Sequence, residues 1–336
     1  MKIAIAGLGV AGSYLLNRLG REHEVVGFER QPLDKFNAPC AWGTSRHELR
    51  RLLAPVGIDF ENYILHQGKT MSVDLGSSTI QIPLMGLVTY DKHQLELDLV
   101  KGKDARYGVR VTREQLERDG FDVMIDATGF HRELLPKLKQ DEYIPCIEYK
   151  MKYDPKPPSD DFYIRPFNHD TGYLWYFPLE QGSSFVGAGD YFKKHVENTN
   201  MYNREHPGQM VQRIGRPIRF LPPKLCEPFY DGKVVGVGES IGTVFPILGE
   251  GIIPSLQCAE ILLDTFPDFE AYAKRVRKEY SIFYDIYRLV KLKIEGKFSF
   301  AKHSYLLLKT YRYMKAREER FGLTIRAPDM YQILSV

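Results

Sequence analysis

Apolar residues along this chain recur in short runs that are separated by glycine-rich turns and by stretches with helical spacing. Continuous β-rich runs, typical of strands buried in a parallel sheet, occur at residues 2–6, 24–28, 121–125 and 233–237. Two stretches, 13–19 and 254–263, place small or apolar residues at helical spacing. Strands and helices therefore alternate, and the pattern predicts an α/β fold.

The first turn carries a dinucleotide-binding fingerprint. The segment Gly7-Leu8-Gly9-Val10-Ala11-Gly12 follows a predicted strand and opens a predicted helix, which is the context that GxGxxG requires. Gly7 permits the tight turn, Gly9 lets the backbone approach a pyrophosphate, and Gly12 lets the helix pack close to the strand. Glu29 ends the second strand, where a carboxylate accepts hydrogen bonds from ribose hydroxyls. The cofactor-binding residues predicted here are Gly7, Gly9, Val10, Ala11, Gly12, Glu29 and Arg30.

Later segments favour FAD over NAD. The third strand runs into Asp126-Ala127-Thr128-Gly129, a carboxylate and turn of the kind that closes a nucleotide site. The fourth strand leads into residues 238–252, where a glycine-lined helix start can face a flavin and Glu239 can accept from two ribityl hydroxyls. The residues predicted to contact FAD in these segments are Asp126, Ala127, Gly129, Gly238, Glu239, Pro246, Gly249, Gly251 and Ile252.

An aromatic signature lies in the middle of the chain. Tyr173-Leu174-Trp175-Tyr176-Phe177-Pro178 is followed, after eight residues, by Gly187-Ala188-Gly189. Without further context this is an alternating aromatic strand of a core. The full pattern, YxWxFP…GxG, resembles the signature of the archaeal-type, FAD-dependent geranylgeranyl reductases, and the resemblance extends over residues 1–263. It implies that an isoprenoid lipid substrate meets the residues Tyr173, Trp175, Phe177, Pro178, Gly187 and Gly189.

The resemblance also implies an architecture, since that family shares the fold of aromatic hydroxylases. We expect a Rossmann-like FAD-binding domain of the glutathione-reductase and aromatic-hydroxylase type, an antiparallel-sheet substrate domain and a C-terminal helical segment, an α/β (α+β) fold. The expected limits are 1–60, 86–140 and 231–268 for the FAD-binding domain, 61–85 and 141–230 for the substrate-binding domain, and 269–336 for the helical region.

A second matching element is Pro39-Cys40, because family members place a functional cysteine in this loop. The resemblance makes Cys40 the candidate catalytic residue. A thiol with an ordinary pKa near 8.5 is mostly protonated at neutral pH, so Cys40 can relay a proton. The alternative is a small buried hydrophobic residue, and Ala41 follows where the family has glycine.

Two further departures from the family pattern keep the sign of the charge. Glu239 stands where the family has aspartate, and Asp91-Lys92 stands where an Asp-Arg pair is usual. Lys92 is therefore kept among the predicted cofactor-binding residues, together with Arg46, which opens the helix that Ser45 is expected to cap.

Composition narrows the classes of protein that remain. The chain has 46 Lys and Arg against 43 Asp and Glu, a formal charge of +3, which argues against a nucleic-acid partner. Its four cysteines are widely spaced and its nine histidines form no ligand motif, so we predict neither a protein-bound metal nor a disulfide framework. A reducing cytoplasmic location fits this pattern best.

Positive charge is concentrated near the carboxyl end. Residues 271–320 contain fourteen Lys and Arg against five Asp and Glu, with aromatic residues at helical spacing among them. Such a segment suits anionic lipid headgroups, so contact with the inner face of a membrane is one interpretation. A solvated basic face, on helices that cap the substrate domain, is the second. RNA binding is a third, without a recognisable motif to support it.

The sequence thus predicts an FAD-dependent reductase that saturates isoprenoid double bonds, with prenyl ether lipids as the expected substrates. No second dinucleotide fingerprint is present, so electrons come from an external donor: ferredoxin, a deazaflavin or NAD(P)H. The alternatives are a monooxygenase or prenyl cyclase of the same fold, and a flavoprotein that carries electrons or binds lipid without catalysis.

Overall fold

A computed structural model describes residues 1–37, 40–168 and 171–335. Within these ranges the two larger sheets use different strand pairings. The first has six strands, all parallel except for a short antiparallel pair at one edge. Its spatial order, starting from that edge, is β17 (Tyr230–Asp231), β18 (Val234–Gly236), β9 (Val123–Asp126), β1 (Lys2–Ala6), β2 (Glu24–Glu29) and β8 (Asp104–Tyr107).

Helices cover this sheet because its strands are buried on both faces. The helices that accompany it are α1 (Val10–Leu19), α3 (Lys92–Leu99), α4 (Arg113–Arg118) and α6 (Ile252–Thr265). Residues 3–6 of the central strand are at most 3% exposed. The helix predicted at 13–19 begins three residues earlier, at Val10, because the last residues of the fingerprint form its first turn. Gly12 thus lies inside a helix, where close packing outweighs the low helix propensity of glycine.

The second large sheet, which we call the aromatic sheet, has seven strands. Its spatial order is β15 (Gln209–Gly215), β11 (Cys146–Lys152), β14 (Ser183–Asp190), β13 (Gly172–Pro178), β12 (Phe162–Pro166), β5 (Thr70–Asp74) and β6 (Thr79–Pro83). All neighbours are antiparallel except β12 and β5. One face packs on α5 (His195–Glu205) through a separate apolar cluster that includes Tyr149, Tyr176 and Tyr202. The other face can therefore border a cavity.

Smaller elements connect the two large sheets. A three-stranded sheet consists of β3 (Gly43–Ser45), β7 (Leu87–Tyr90) and β4 (Ile64–Gln67), and a two-stranded one of β10 (Tyr143–Ile144) and β16 (Ile218–Arg219). Helix α2 (Arg46–Leu53) begins as expected, since the hydroxyl of Ser45 accepts a hydrogen bond from the N–H of Glu48. Between residues 99 and 121 the chain forms β8 and α4.

Helices complete the chain. They are α7 (Phe269–Glu279), α8 (Ser281–Ile294), α9 (Ser304–Lys315), α10 (Glu318–Phe321) and α11 (Ala327–Ile333). Among the residues described, no helix combines the length and the apolar character needed to span a bilayer. The predicted fold class is confirmed: a Rossmann-type sheet, a second sheet that is antiparallel except for one strand pair, and a C-terminal helical segment.

Candidate functional site

A cavity of about 810 Å³ is bordered by the carboxyl ends of the parallel strands, by the aromatic sheet and by the C-terminal helices. Ligands of open α/β sheets bind at the carboxyl ends of parallel strands. The volume lies in the upper part of the range for small-molecule and cofactor sites. This cavity is therefore the candidate functional site.

The glycines of the first turn meet the cavity in different ways. Gly7 has a φ of +89°, and a Cβ there would lie 2.5 Å from the carbonyl oxygen of Ala127. A Cβ on Gly12 would lie 1.9 Å from the carbonyl oxygen of Gly7, so Gly12 packs behind the turn and does not line the cavity. A Cβ on Gly9 would meet no described atom within 4 Å. Gly9 therefore brings bare backbone to the cavity wall, the close approach that a pyrophosphate needs.

The amino end of α1 provides hydrogen-bond donors at the same place. Gly9 is its N-cap residue, and within the described chain no side chain caps this end. The first N–H groups of a helix have no partner inside the helix, and the helix dipole favours negative charge there. Val10 and Ala11 both line the cavity. The turn thus fits a diphosphate in both shape and charge.

Glu29 and Arg30 line the cavity beyond this turn. The carboxylate of Glu29 accepts from the N–H of Leu8 at 3.1 Å and from the N–H of Gln31 at 3.0 Å. Each carboxylate oxygen accepts more than one hydrogen bond, so Glu29 keeps capacity for ribose hydroxyls. The guanidinium of Arg30 lies 2.8 Å from Nε2 of His131, and burial together with the charge of Arg30 lowers the pKa of that histidine. A neutral imidazole at His131 can accept this hydrogen bond.

The carboxylate of Asp126 does not line the cavity, which corrects the prediction that it contacts the cofactor directly. It is fully buried and accepts hydrogen bonds from the backbone N–H groups of Thr128, Leu134 and Leu135 at 2.8 to 3.1 Å. These bonds shape the loop that follows β9, so that its Ala127 and Gly129 do border the cavity.

Arg46 is also outside the cavity, because its guanidinium forms an ion pair with Glu61 at 2.7 Å. Gly238 and Glu239 do line it. The carboxylate of Glu239 accepts from the N–H of Arg219 at 2.9 Å and forms an ion pair with Arg216. Arg216 itself borders the cavity and was not anticipated from the sequence, since it lies in a polar connection without a motif.

The loop over residues 246–251 joins the two large sheets across the cavity. Pro246, Gly249 and Gly251 line the cavity, as does Ile252 at the start of α6. The hydroxyl of Tyr173, on the aromatic sheet, donates to the carbonyl oxygen of Leu248 in this loop at 2.5 Å. The predicted flavin segment and the aromatic signature are thus in direct contact.

The aromatic signature places alternate side chains on the cavity face of β13. Tyr173, Trp175 and Phe177 line the cavity, and so does Gly189 on the neighbouring strand. Pro178 does not; its carbonyl accepts from the hydroxyl of Thr89 and joins the sheet to β7. The three aromatic side chains therefore form one wall, in agreement with strand alternation.

Gly187 does not line the cavity, but its lack of a side chain determines where the indole of Trp175 can lie. It is the cross-strand partner of both Trp175 on β13 and Glu148 on β11. A Cβ on Gly187 would lie 2.4 Å from the indole ring of Trp175. The indole can therefore lie across Gly187 only because this position has no side chain, and the ring extends toward Glu148.

Glu148 is a cavity-lining carboxyl group that was not predicted from the sequence. It is 6% exposed, and neither carboxyl oxygen has a hydrogen-bond partner among the described residues. Burial raises the pKa of Glu148 to about 8, although Trp175 and the ammonium of Lys92 act in the opposite direction. The only sequence signal is a glutamate within an otherwise apolar run at residues 146–149, which does not indicate the direction of its side chain.

Cys40 and Lys92 line the same part of the cavity; Pro39 lies outside the described residues. The ammonium of Lys92 donates to Glu96 at 2.5 Å, and both side chains are buried. Burial raises the pKa of the Cys40 thiol, with Lys92 lowering it and Glu148 raising it further. The thiol is therefore protonated at neutral pH, as a proton relay requires. The described residues contain no cluster of His, Cys, Asp or Glu that could hold a metal ion.

The C-terminal segment forms a further wall of the cavity. Its cavity-lining apolar residues include Met314, Phe321, Leu323, Ile325, Met330 and Ile333. Arg320 of α10 forms an ion pair at 2.5 Å with Glu250 of the 246–251 loop, and both side chains are largely buried. This pair fastens the C-terminal wall to the loop.

Comparison with known proteins gives one sequence relative and many structural ones. No protein-family model matches the chain. Over 123 residues it is 32% identical to digeranylgeranylglycerophospholipid reductase 2 of Methanothermobacter thermautotrophicus. That match covers 34% of this chain and 31% of the relative, so less than a third of the relative's length is matched.

Solved structures resemble the chain over nearly its whole length. A geranylgeranyl bacteriochlorophyll reductase-like protein from Thermoplasma acidophilum is 16% identical, with a TM-score of 0.72 over 99% of this chain and 95% of that one. The myxobacterial chondrochloren halogenase, an FAD-dependent halogenase, is 14% identical, with a TM-score of 0.66 over 99% and 95%. At these identities the likeness establishes the fold, which is that of Rossmann-type FAD-dependent flavoproteins.

Proposed function

We propose that this chain binds FAD and saturates isoprenoid double bonds of geranylgeranyl type. The observation that carries the proposal is a continuous cavity that joins a dinucleotide-binding turn to an aromatic and aliphatic wall through the contact between Tyr173 and Leu248. The partial sequence match to a digeranylgeranylglycerophospholipid reductase supports prenyl ether lipids as the substrate class.

The residues around the first turn fit the polar parts of FAD. The backbone at Gly9 and the amino end of α1 bind the diphosphate, and Glu29 binds the ribose of the adenosine half. Glu239 binds the ribityl hydroxyls, with Arg216 beside it as a counter-charge. The 246–251 loop supports the ring system. When bound and reduced, FAD supplies a hydride and its two electrons.

The opposite walls fit a prenyl chain. Aromatic rings on β13 and aliphatic side chains of the C-terminal segment give the chain an apolar channel and exclude water from the reacting bond. The faces of Tyr173 and Trp175 also tolerate positive charge that develops on the alkene. The reducing equivalents come from an external donor.

A surface on α9 supports delivery of the substrate from a membrane. Tyr305 is 78% exposed and Leu308 is 45% exposed. The exposed cation Arg312 follows Tyr305 by seven residues within α9, which places both on the same side of the helix. Exposed aromatic and aliphatic residues beside cations suit an anionic bilayer surface. Docking there spares the prenyl chain a passage through water, which costs about 0.8 kcal/mol for each exposed methylene.

The test is a single turnover without oxygen. FAD-loaded protein is reduced with dithionite and mixed with geranylgeranyl glycerophospholipid, and the lipid is analysed by mass spectrometry. We expect mass increments of two hydrogens and matching reoxidation of the flavin. Oxygen consumption coupled to NADPH, with no such increment under any condition, would instead identify a monooxygenase and refute the proposal.

Two variants control this test. Gly9→Ala places a methyl group where the diphosphate approaches and is expected to weaken flavin loading and to reduce saturation with it. Phe192→Ala removes an aromatic side chain that is 56% exposed and does not line the cavity. It is expected to behave as the parent protein does, so a loss of turnover there would point to general damage.

A further inference from the structure

Glu148 has the properties of a buried acid that faces a ligand. Its carboxyl group lines the cavity and is 6% exposed, and neither oxygen meets hydrogen-bond geometry with a described residue, although the indole N–H of Trp175 lies near enough to lower its pKa. A buried carboxyl group without a partner is costly for the fold. The packing of the fold does not explain why this carboxyl group is buried, whereas contact with a bound molecule does.

The order of strands in the aromatic sheet places this carboxyl group beside the aromatic wall of the cavity. Glu148, Gly187 and Trp175 lie side by side on three adjacent strands. The missing side chain at Gly187 leaves room for the indole of Trp175, which lies across β14. Tyr173 is two residues before Trp175 on β13 and contacts the 246–251 loop through its hydroxyl. The carboxyl group is therefore close to the place where the 246–251 loop contacts the aromatic wall.

The charged and titratable groups around Glu148 are few. Lys92 on α3 carries the charge that acts on it, and Trp175 on β13 offers an indole N–H. Cys40 and Cys146 are near enough for the charge of Glu148 to raise their pKa values. Across β15 the cross-strand partner is the apolar Ile214. Lys92 is thus the cation that can stabilise a carboxylate at this position.

We propose that Glu148 is the acid that delivers a proton to the isoprenoid double bond, an inference that rests on the reductase function proposed above. One alkene carbon receives a hydride, with its two electrons, from a reduced flavin. The neighbouring carbon takes the proton from the carboxyl group of Glu148, so an O–H bond breaks and a C–H bond forms. The π bond is lost, the flavin is left oxidised, and the carboxylate left behind takes a proton from solvent.

Acid strength favours Glu148 over Cys40. Burial raises the pKa of Glu148 to about 8, so the carboxyl group is largely protonated at neutral pH and can still release its proton near that pH. Burial raises the pKa of Cys40 above its usual range. A general acid is most effective when its pKa lies near the working pH. Cys40 then acts as a neutral neighbour of the acid rather than as the donor.

The first measurement does not depend on turnover. Infrared difference spectra of the purified protein between pH 5 and pH 10 report the C=O stretch of protonated carboxyl groups. We expect a band that disappears with a midpoint near pH 8 and is absent in Glu148→Gln. Glu180→Gln, which alters an exposed carboxyl group on the turn between β13 and β14, should leave this band unchanged. A wild-type spectrum without such a band would overturn the assignment.

The second measurement compares rates of saturation in single turnovers. Glu148→Gln should bind flavin normally and slow saturation by about 10²- to 10⁴-fold. Glu148→Asp, with the acid withdrawn by one methylene, should recover part of the rate. Cys40→Ala should lose less of the rate than Glu148→Gln, and Glu180→Gln, at an exposed carboxyl group, should stay near the wild type. In the wild type, the rate should fall as pH rises through about 8.

The outcomes separate the two proposals. If the wild-type protein saturates no prenyl lipid, the reductase function fails, and the infrared band still decides whether Glu148 is a neutral acid. If the wild type is active and Glu148→Gln keeps its full rate, Glu148 is not the donor and the inference fails alone. If Cys40→Ala shows the large loss instead, the proton comes from the thiol.

Discussion

The cavity has two contrasting walls. The first wall consists of main-chain atoms of the 7–12 turn and the amino end of α1. The second wall consists of the aromatic rings of β13 and the buried carboxyl group of Glu148. The first wall requires the absence of side chains, since a Cβ on Gly7 would lie 2.5 Å from the carbonyl oxygen of Ala127. The second wall requires particular side chains brought together from distant segments. Rigid backbone thus suits the constant part of a ligand, while side chains adapt the cavity to its substrate and chemistry.

The buried acid of the second wall should give the largest change on substitution. The folded protein holds the pKa of Glu148 at about 8, above the usual 4.5, so it favours the protonated form. Stability from that form is fully present below pH 4.5 and is lost as pH rises to about 8. Glu148→Gln should therefore match the wild type at pH 4.5 and exceed it at pH 8 by on the order of 4 kcal/mol in the free energy of unfolding.

Urea unfolding of both proteins at several pH values between 4.5 and 9 measures this difference. Glu180→Gln supplies the matched control, because an exposed carboxyl group should give a curve parallel to that of the wild type. Parallel curves for Glu148→Gln would show that the second wall holds no buried acid and would remove the main contrast between the walls.

The next change tests whether an ion pair holds the C-terminal wall against the 246–251 loop. Arg320→Met leaves the carboxylate of Glu250 buried without its partner, which should destabilise the fold by about 3 kcal/mol. The double variant Arg320→Met, Glu250→Gln removes the stranded charge and should recover most of the loss. Thermal and urea unfolding check both. An unchanged stability in Arg320→Met would mean that packing alone holds this wall.

Two glycines of the 7–12 turn, of which only Gly9 lines the cavity, give a smaller effect and a direct contrast. Gly9→Ala meets no described atom within 4 Å, so unfolding in the absence of flavin should be unchanged, while affinity for FAD should fall at least about tenfold, or 1.4 kcal/mol. Gly12→Ala should instead lower stability, by roughly 1–3 kcal/mol, because its methyl group meets backbone. Flavin fluorescence titration and thermal unfolding separate the two. Equal loss of stability in both variants would contradict the view of Gly9 as a ligand-facing position.

The exposed side of α9 should give the weakest response. Tyr305→Ser combined with Leu308→Ser should weaken binding to vesicles of anionic phospholipid by about three- to tenfold, because two apolar side chains no longer enter the interface. Co-sedimentation with such vesicles measures it. Phe192→Ser, at a similarly exposed aromatic residue outside the C-terminal helices, should bind as the wild type does. Equal binding by all three proteins would leave α9 as a solvated basic face.

The first wall could be predicted from the amino-acid sequence, since its chemistry lies in local backbone geometry. Gly7, Gly9 and Gly12 act within one strand, turn and helix, so their spacing predicts their positions. The alternation along β13 likewise predicts that the aromatic residues of the signature share a face. Asp126 is a different case. Its place at the end of a strand predicted a contact with the cofactor, but its carboxylate accepts hydrogen bonds from the backbone of the following loop instead.

The second wall depends on which distant segments meet, and that was settled by the packing of the whole fold. Glu148 belongs to no sequence motif, and its approach to Trp175 follows from the order of strands in the aromatic sheet. The C-terminal wall is a similar case, because the positions of Phe321 and Met330 at the cavity depend on how the C-terminal helices pack. Periodicity reports which face of an element is apolar, but it carries no information about contacts between elements far apart in sequence. Tertiary packing therefore placed an acid, a cation and an apolar channel around one cavity.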